Sequence, residues 1–319
     1  VTATAGAADE AAAGTAADAT AGTAADVAAE APVRRRRRYP PKETALAALF
    51  LVPSIAVFVA FFYRPFLNLA YWGTFEARRN GAVQESVGLD QYSEQLTSDE
   101  FSEGLWHSVQ FVIYTVPLGL VLGVLLAVAA HRKLKGIKVF QAIFSSTLAS
   151  SVAVTSVIFF VLLNPEVGVA RVDWLNDPDR AMLAVALPSV WQNLGLAFVI
   201  VLAGLQAVPD EVLEAATLDG YGPVRRLLRI TLPLISPVLL FLVVVLVVFG
   251  FQAFAQIDII TKGDPAGATE TLVYKINRRN RPDNIGIGAV FSVGLFAVTF
   301  VVTALQFLIL ERRVHYADR

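Results

Sequence analysis

The chain has 319 residues, 55% of them hydrophobic, with a mean hydropathy of +0.59, which excludes an ordinary soluble domain and points to a membrane protein. A net charge of −1 gives no bulk attraction to nucleic acid. The absence of Cys excludes disulfides and thiol chemistry, and His107, His131 and His315 lie too far apart in sequence to suggest a metal site.

Residues 1–38 are expected to be a disordered tail, and 39–319 the membrane domain. The tail is rich in Ala, Thr, Gly and Asp and lacks the large side chains that could offset the cost of ordering it. Its basic cluster follows the small-residue stretch, the reverse of a secretory signal. The five cations Arg34–Arg38 stand just before the first apolar run, where they are expected to fix topology and touch anionic lipid.

Six apolar runs follow, at Ala45–Tyr63, Ser108–Ala130, Val139–Leu163, Ala181–Leu205, Val238–Ile257 and Ile287–Leu310. None contains Asp, Glu, Lys or Arg, and each is long enough for a helix to cross a hydrocarbon layer of about 30 Å. Backbone groups in lipid must be paired internally, so the runs predict six transmembrane helices and an all-α integral membrane fold. With the N-terminus inside, the inner segments carry 16 Lys and Arg and the outer segments 10. That bias predicts both termini in the cytoplasm.

Within this frame the second run holds Gly119, Gly123 and Ala127 at four-residue spacing, which predicts close internal packing of helices. The third carries Ser145, Ser146, Thr147, Ser150, Ser151, Thr155 and Ser156. These hydroxyls either bond backbone and neighbouring helices or line a polar pathway. A solute crossing the bundle needs convergent polar groups. Two places offer them: Trp191, Gln192 and Asn193 in the fourth run, and Gln252, Gln256 and Asp258 near the end of the fifth. Amides suit hydroxyl-rich solutes, and a Trp ring can cover the apolar face of a polyol or a choline-like cation. Bonding between helices would explain the same residues. No run carries a cation for a phosphate; Lys262, Lys275, Arg278, Arg279 and Arg281 cluster on the predicted outer side, where they attract an anion, dock a binding protein or are merely solvated.

Between the fourth and fifth runs lies residues 210–237, DEVLEAATLDGYGPVRRLLRITLPLISP, too polar to span. It predicts two short helices. Asp210 would cap the first, Gly220 or Gly222 would end it in a left-handed conformation, Pro223 would start the second, and Leu232-Pro233 would break it. Glu214-Ala215-Ala216, Asp219-Gly220 and Ile230-Thr231-Leu232-Pro233 resemble the cytoplasmic EAA loop of ABC-importer permeases. Other stretches are similar to sugar-type members of that family. They include Gly88-Leu89-Asp90-Gln91-Tyr92, with Asp90 where Asn is usual, and Trp191 to Pro209. They also include Thr261-Lys262-Gly263-Asp264-Pro265, with Lys262 and Asp264 as departures, whereas Phe254-Ala255 lacks the family's Phe-Asp. Gln256-Ile257-Asp258, Ala268 to Ile276 and Glu311 to Tyr316 resemble the branch importing glycerol 3-phosphate and glycerophosphodiesters such as glycerophosphocholine; a disaccharide or oligosaccharide such as trehalose or maltodextrin is the alternative solute.

The resemblance implies a non-catalytic permease subunit in a bacterial cell membrane. Glu214, Ala215, Ala216, Asp219 and Gly220 would form a coupling helix docked on an ATPase. The implied partners are a second homologous permease subunit, two ATPase subunits and an extracytoplasmic solute-binding protein, with ATP and Mg held by the ATPase. The chain has no G-x-x-x-x-G-K-[S/T] loop to cradle ATP phosphates. An integral membrane enzyme would need ionisable groups gathered at one membrane depth, which these runs lack. A passive channel would have no use for an ATPase dock.

Overall fold

A computed structural model of the chain describes residues 41–78, 83–131, 135–169, 172–279, 281 and 284–310. The expectations for the 1–38 tail, Arg34–Arg38, Arg79, Arg132, Lys133, Arg171 and Glu311 to Tyr316 lie outside the described residues. The chain divides into two units, 1–63 and 64–319. In the first, helix α1 (Pro41–Phe58) runs into a π turn, Val59–Tyr63. Apolar residues occupy every face of α1, as suits a helix solvated by hydrocarbon.

The second unit opens with α2 (Arg64–Trp72), a hairpin of β1 (Phe75–Arg78) and β2 (Val83–Ser86), and α3 (Asp90–Leu96). The strands pair antiparallel, Phe75 opposite Ser86 and Arg78 opposite Val83, so the all-α expectation is corrected by one short ribbon. The second apolar run also starts early: α4 spans Asp99–Ala130 because the Ser98 hydroxyl accepts from Phe101 N at 3.2 Å and opens the helix there.

The fourth run forms one long helix, α7 (Pro178–Gln206), capped by the Asp177 side chain on Asp179 N and started by Pro178. It lies along α4, and the small-residue stripe sets the approach. A Cβ built on Gly123 would stand 2.5 Å from the Ala197 Cβ, which leaves no room for any side chain. Val116, Ala127, Phe198, Val201, Leu242 and Leu246 join α4, α7 and α11 (Ser236–Phe251) in the main buried cluster.

The third and fifth runs are not single rods. The third breaks into α5 (Ile137–Ser145), a 3-10 turn at Ser146–Ala149 and α6 (Val152–Leu163), with a bend of 102°. The break falls at Ser150 and Ser151, both extended, and Gln192 Nε2 donates to the carbonyl that Ser150 exposes there, at 2.9 Å. The fifth ends as a helix at Phe251, passes through Gln252–Phe254, and resumes as α12 (Ala255–Ile260). A further helix, α13 (Leu272–Arg278), precedes the last long one, α14 (Ile285–Leu310). Among the described residues, four helices are long and apolar enough to cross a membrane, or up to six if each bent pair counts once.

The polar link also departs from expectation. The first short helix is α8 (Asp210–Leu218), but Pro209 takes the N-cap position and Asp210 sits in the first turn, favoured there by the helix dipole. Its C-terminus is as expected: Gly220 has φ +80°, Tyr221 N bonds to Ala216 O at 3.0 Å and Gly220 N to Thr217 O at 3.1 Å, a Schellman ending. Pro223 begins α9 (Pro223–Arg226). Leu232-Pro233 does not break the second helix. A π turn at Leu227–Thr231 widens the hydrogen-bonded ring just before Pro233, and the chain continues through α10 (Leu232–Leu234). The break comes at Ile235, where φ −90° and ψ 9° leave the helical range, and α11 departs at 74°.

Candidate functional site

A cavity of about 610 Å³ opens between α4, α6, α7, α11 and α12. Four of the six pathway residues expected from sequence line it: Gln192 and Asn193 from α7, Gln252 at the end of α11, and Gln256 on α12. The sequence reading missed Thr115 and Ser189, which line it too. Ser189, Gln192 and Asn193 recur at i, i+3 and i+4, so one face of α7 presents all three.

Two of the four amides are held in place. Gln256 is buried and its Nε2 donates to Ser189 Oγ at 3.0 Å, tying α12 to α7. Gln192 is held by the Ser150 carbonyl at the third-run break. The Thr115 hydroxyl donates back to Phe111 O at 2.8 Å, leaving its oxygen able to accept. Apolar surface comes from Phe111, Leu148, Val152, Leu196, Phe249 and Phe254. No charged side chain is among the described residues that line the cavity, so it offers neutral donors and acceptors set in an apolar wall.

The other two candidates point elsewhere. Trp191 is one residue round the helix from Gln192 and packs on Phe159, ring centroids 6.4 Å apart, outside the cavity. Asp258 lies two residues beyond Gln256, on a different face of α12, and is exposed. Its charge is felt by Tyr274 on α13: burial, and then Asp258, hold that phenol above its usual pKa. The phenol is therefore protonated at neutral pH and donates to Lys262 O at 2.6 Å.

The third-run hydroxyls do not line the cavity. Ser146, Thr147 and Ser156 bond back to Ile143, Phe144 and Val152 carbonyls, which settles their role as backbone partners. The Thr261 to Pro265 turn is tightly built. Thr261 and Thr269 hydroxyls meet at 2.7 Å, and Lys262 holds a φ of 54°, a conformation that favours glycine.

The second feature is a cleft of about 790 Å³ under α8, lined by Val128, His131, Leu205, Leu213, Glu214, Thr217, Arg226 and Thr231 among others. Ala216 is buried against the bundle, while Glu214, Ala215, Asp219 and Gly220 are exposed. Arg226 donates to Thr217 Oγ1 at 2.8 Å and joins α9 to α8. Beside them Leu218 is 89% exposed and Val224 70%, apolar surface that is left open among the described residues. The cleft and the cavity are separate: they share no lining residue.

Long apolar helices and bent helix pairs around a neutral polar cavity are the plan of a membrane permease. Residues 119–316 match the model of the binding-protein-dependent transport system inner membrane component family, and the chain belongs to that family. It is 34% identical over 282 residues to the sn-glycerol-3-phosphate transport system permease protein UgpA of Agrobacterium fabrum, covering 85% of this chain and 96% of that one. The proteins of the same name from Rhizobium meliloti and an Escherichia coli strain are 32% and 31% identical over the same coverage. Among solved structures, a bacterial alginate ABC transporter bound to its periplasmic protein has a chain with the same fold. That match has a TM-score of 0.72 at 19% identity over 85% of this chain and 96% of that one. The inward-facing MetNI methionine transporter matches at 0.53 and 13% over 69% and 100%.

Proposed function

We propose that the chain is a permease subunit of an ATP-driven importer for glycerol 3-phosphate or glycerophosphodiesters. The observation that carries the solute class is the similarity to glycerol-3-phosphate permeases along 85% of the chain. The cavity agrees in part, since Gln192, Asn193, Gln252 and Gln256 suit the hydroxyls of a glycerol moiety. Its neutrality also favours a second reading, an uncharged oligosaccharide.

In this reading six spans, each bent pair counted once, place both termini and α8 in the cytoplasm. Glu214, Ala215, Asp219 and Gly220 dock on an ATPase subunit, with Leu218 and Val224 covered by that contact, while the buried Ala216, expected from sequence in the same surface, instead seats α8 on the bundle. A second permease subunit completes the pathway, a solute-binding protein delivers cargo, and two ATPase subunits hold ATP and Mg. The chain itself does no bond chemistry.

The test is uptake by membrane vesicles loaded with ATP and supplied with the assembled transporter and its binding protein. Labelled glycerol 3-phosphate and glycerophosphocholine should accumulate, and maltodextrin should not. Accumulation of the oligosaccharide in place of the phosphates would establish the second reading.

A further inference from the structure

Far from α8, at the opposite end of α4, a second group of polar residues converges. Glu100 opens α4 and Val128, in the α8 cleft, closes it, so the two places stand roughly 40 Å apart along the helix. There Glu100, Lys275, Arg278, Arg279, Arg281 and Asn284 line a pocket of about 290 Å³. Four cations face one carboxylate in that lining.

The cations are held in place by acids around them. Arg279 meets both Glu100 oxygens, Nε at 3.2 Å and Nη2 at 2.5 Å. Arg278 pairs with Glu270. Lys275 is buried; its Nζ donates to Glu100 O at 3.1 Å and to Glu103 Oε2 at 3.3 Å. These bonds use two of the three ammonium protons, so one donor of a buried charge is left over. Arg281 is exposed and, among the described residues, meets no carboxylate. The cluster therefore keeps fixed N–H donors and a positive surplus after its internal pairs are made, which is the condition for binding an anion with several acceptor oxygens.

The geometry points to a phosphate-binding site in this pocket, taking a phosphate monoester or diester. It deepens the glycerol phosphate reading and rests on it for the identity of the cargo. The neutral cavity would receive the polyol end, and this pocket would hold the phosphate before entry. A phospholipid head group carries the same chemistry and is the other source of such an anion.

Arg281 makes a clean probe because removing it breaks no described ion pair. The assembled transporter, purified free of phospholipid in an alkyl maltoside detergent, is titrated with inorganic phosphate, glycerol 3-phosphate and glycerol. Saturable binding of the two phosphates and none of glycerol is expected. Arg281→Gln should raise both dissociation constants about tenfold or more, and Arg278→Gln with it further. Repeating the titration in nanodiscs containing phosphatidylglycerol separates the sources: unchanged phosphate binding supports a soluble occupant, and loss of it a lipid head group. Phosphate binding that depends on Arg281 without any glycerol 3-phosphate uptake would leave the site standing and remove the cargo assignment. Binding unaffected by the double substitution, or an Arg281→Gln effect confined to capture of the solute-binding protein, would overturn the proposal.

Discussion

Gln256 and Ser189 meet through a buried hydrogen bond of 3.0 Å that links α12 to α7 at the wall of the cavity. Ser189→Ala leaves the Gln256 amide without that acceptor and should lower stability by about 1–3 kcal/mol. Replacing both by apolar residues should cost less than the sum of the single changes. Thermal unfolding of the two single variants and the double in detergent measures that coupling; additive losses would mean the pair is not a unit.

Gly123 and Ala197 define the closest approach of α4 and α7. Gly123→Val should separate the helices and destabilise by about 1–3 kcal/mol or prevent folding. Ala197→Gly in the Gly123→Ala background should restore part of the loss, because the atom in the way is the Ala197 methyl. A melting series through the three variants checks this, and no recovery in the double variant would contradict it.

Gly220 ends α8 with φ +80° and open space around it, so the constraint there is backbone conformation and not crowding. Gly220→Asn should be tolerated and Gly220→Val should cost about 1–2 kcal/mol locally. In the assembled transporter the Val variant, like Glu214→Ala, should hydrolyse ATP with little solute moved while still reaching the membrane. The ratio of ATP hydrolysed to solute imported is the readout; a normal ratio in both would remove the coupling role from α8.

Asn193 and Gln252 line the cavity and are not held across helices as Gln256 is by Ser189, so they are the residues to change for affinity without loss of assembly. Asn193→Ala and Gln252→Ala should raise the half-saturating solute concentration about fivefold to tenfold, the worth of one or two neutral hydrogen bonds. Parallel measurement of ATPase co-purification separates the cases. Equal loss of both would make these packing residues.

Lys262 occupies a left-handed φ of 54° in the turn that follows α12. Lys262→Gly should relieve about 1 kcal/mol of backbone cost, offset in part by the added freedom of the unfolded chain. A raised melting temperature is the expected result.

The apolar runs were legible because hydrocarbon demands long uncharged helices whatever the detailed packing. Gly220 and Pro223 were legible because few residues suit those backbone positions. The break at Ser150-Ser151 was not, since Val139–Leu163 stays uncharged through it, hydroxyls can bond within a continuous helix as well as at a break, and the Gln192 contact that satisfies the opened Ser150 carbonyl is distant in sequence. Pro233 misled because a π turn absorbs a missing donor that would end an ordinary helix. Ser189 carried a usable signal: it shares a face with Gln192 and Asn193. The same face rule would have set Asp258 apart from Gln256 and Trp191 apart from Gln192. The hairpin was signalled by Asn80-Gly81 between alternating stretches.

The 74° corner at Ile235 has a mechanical consequence. A rod cannot be driven lengthwise around a near right angle. Displacement arriving at α8 and α9 therefore reaches α11 as a sideways swing about Ile235 and not as a thrust along its axis. Gln252 and the α12 segment, carried at the far tip of α11, would travel through the widest arc, so a small shift at α8 becomes a larger one at the wall of the cavity.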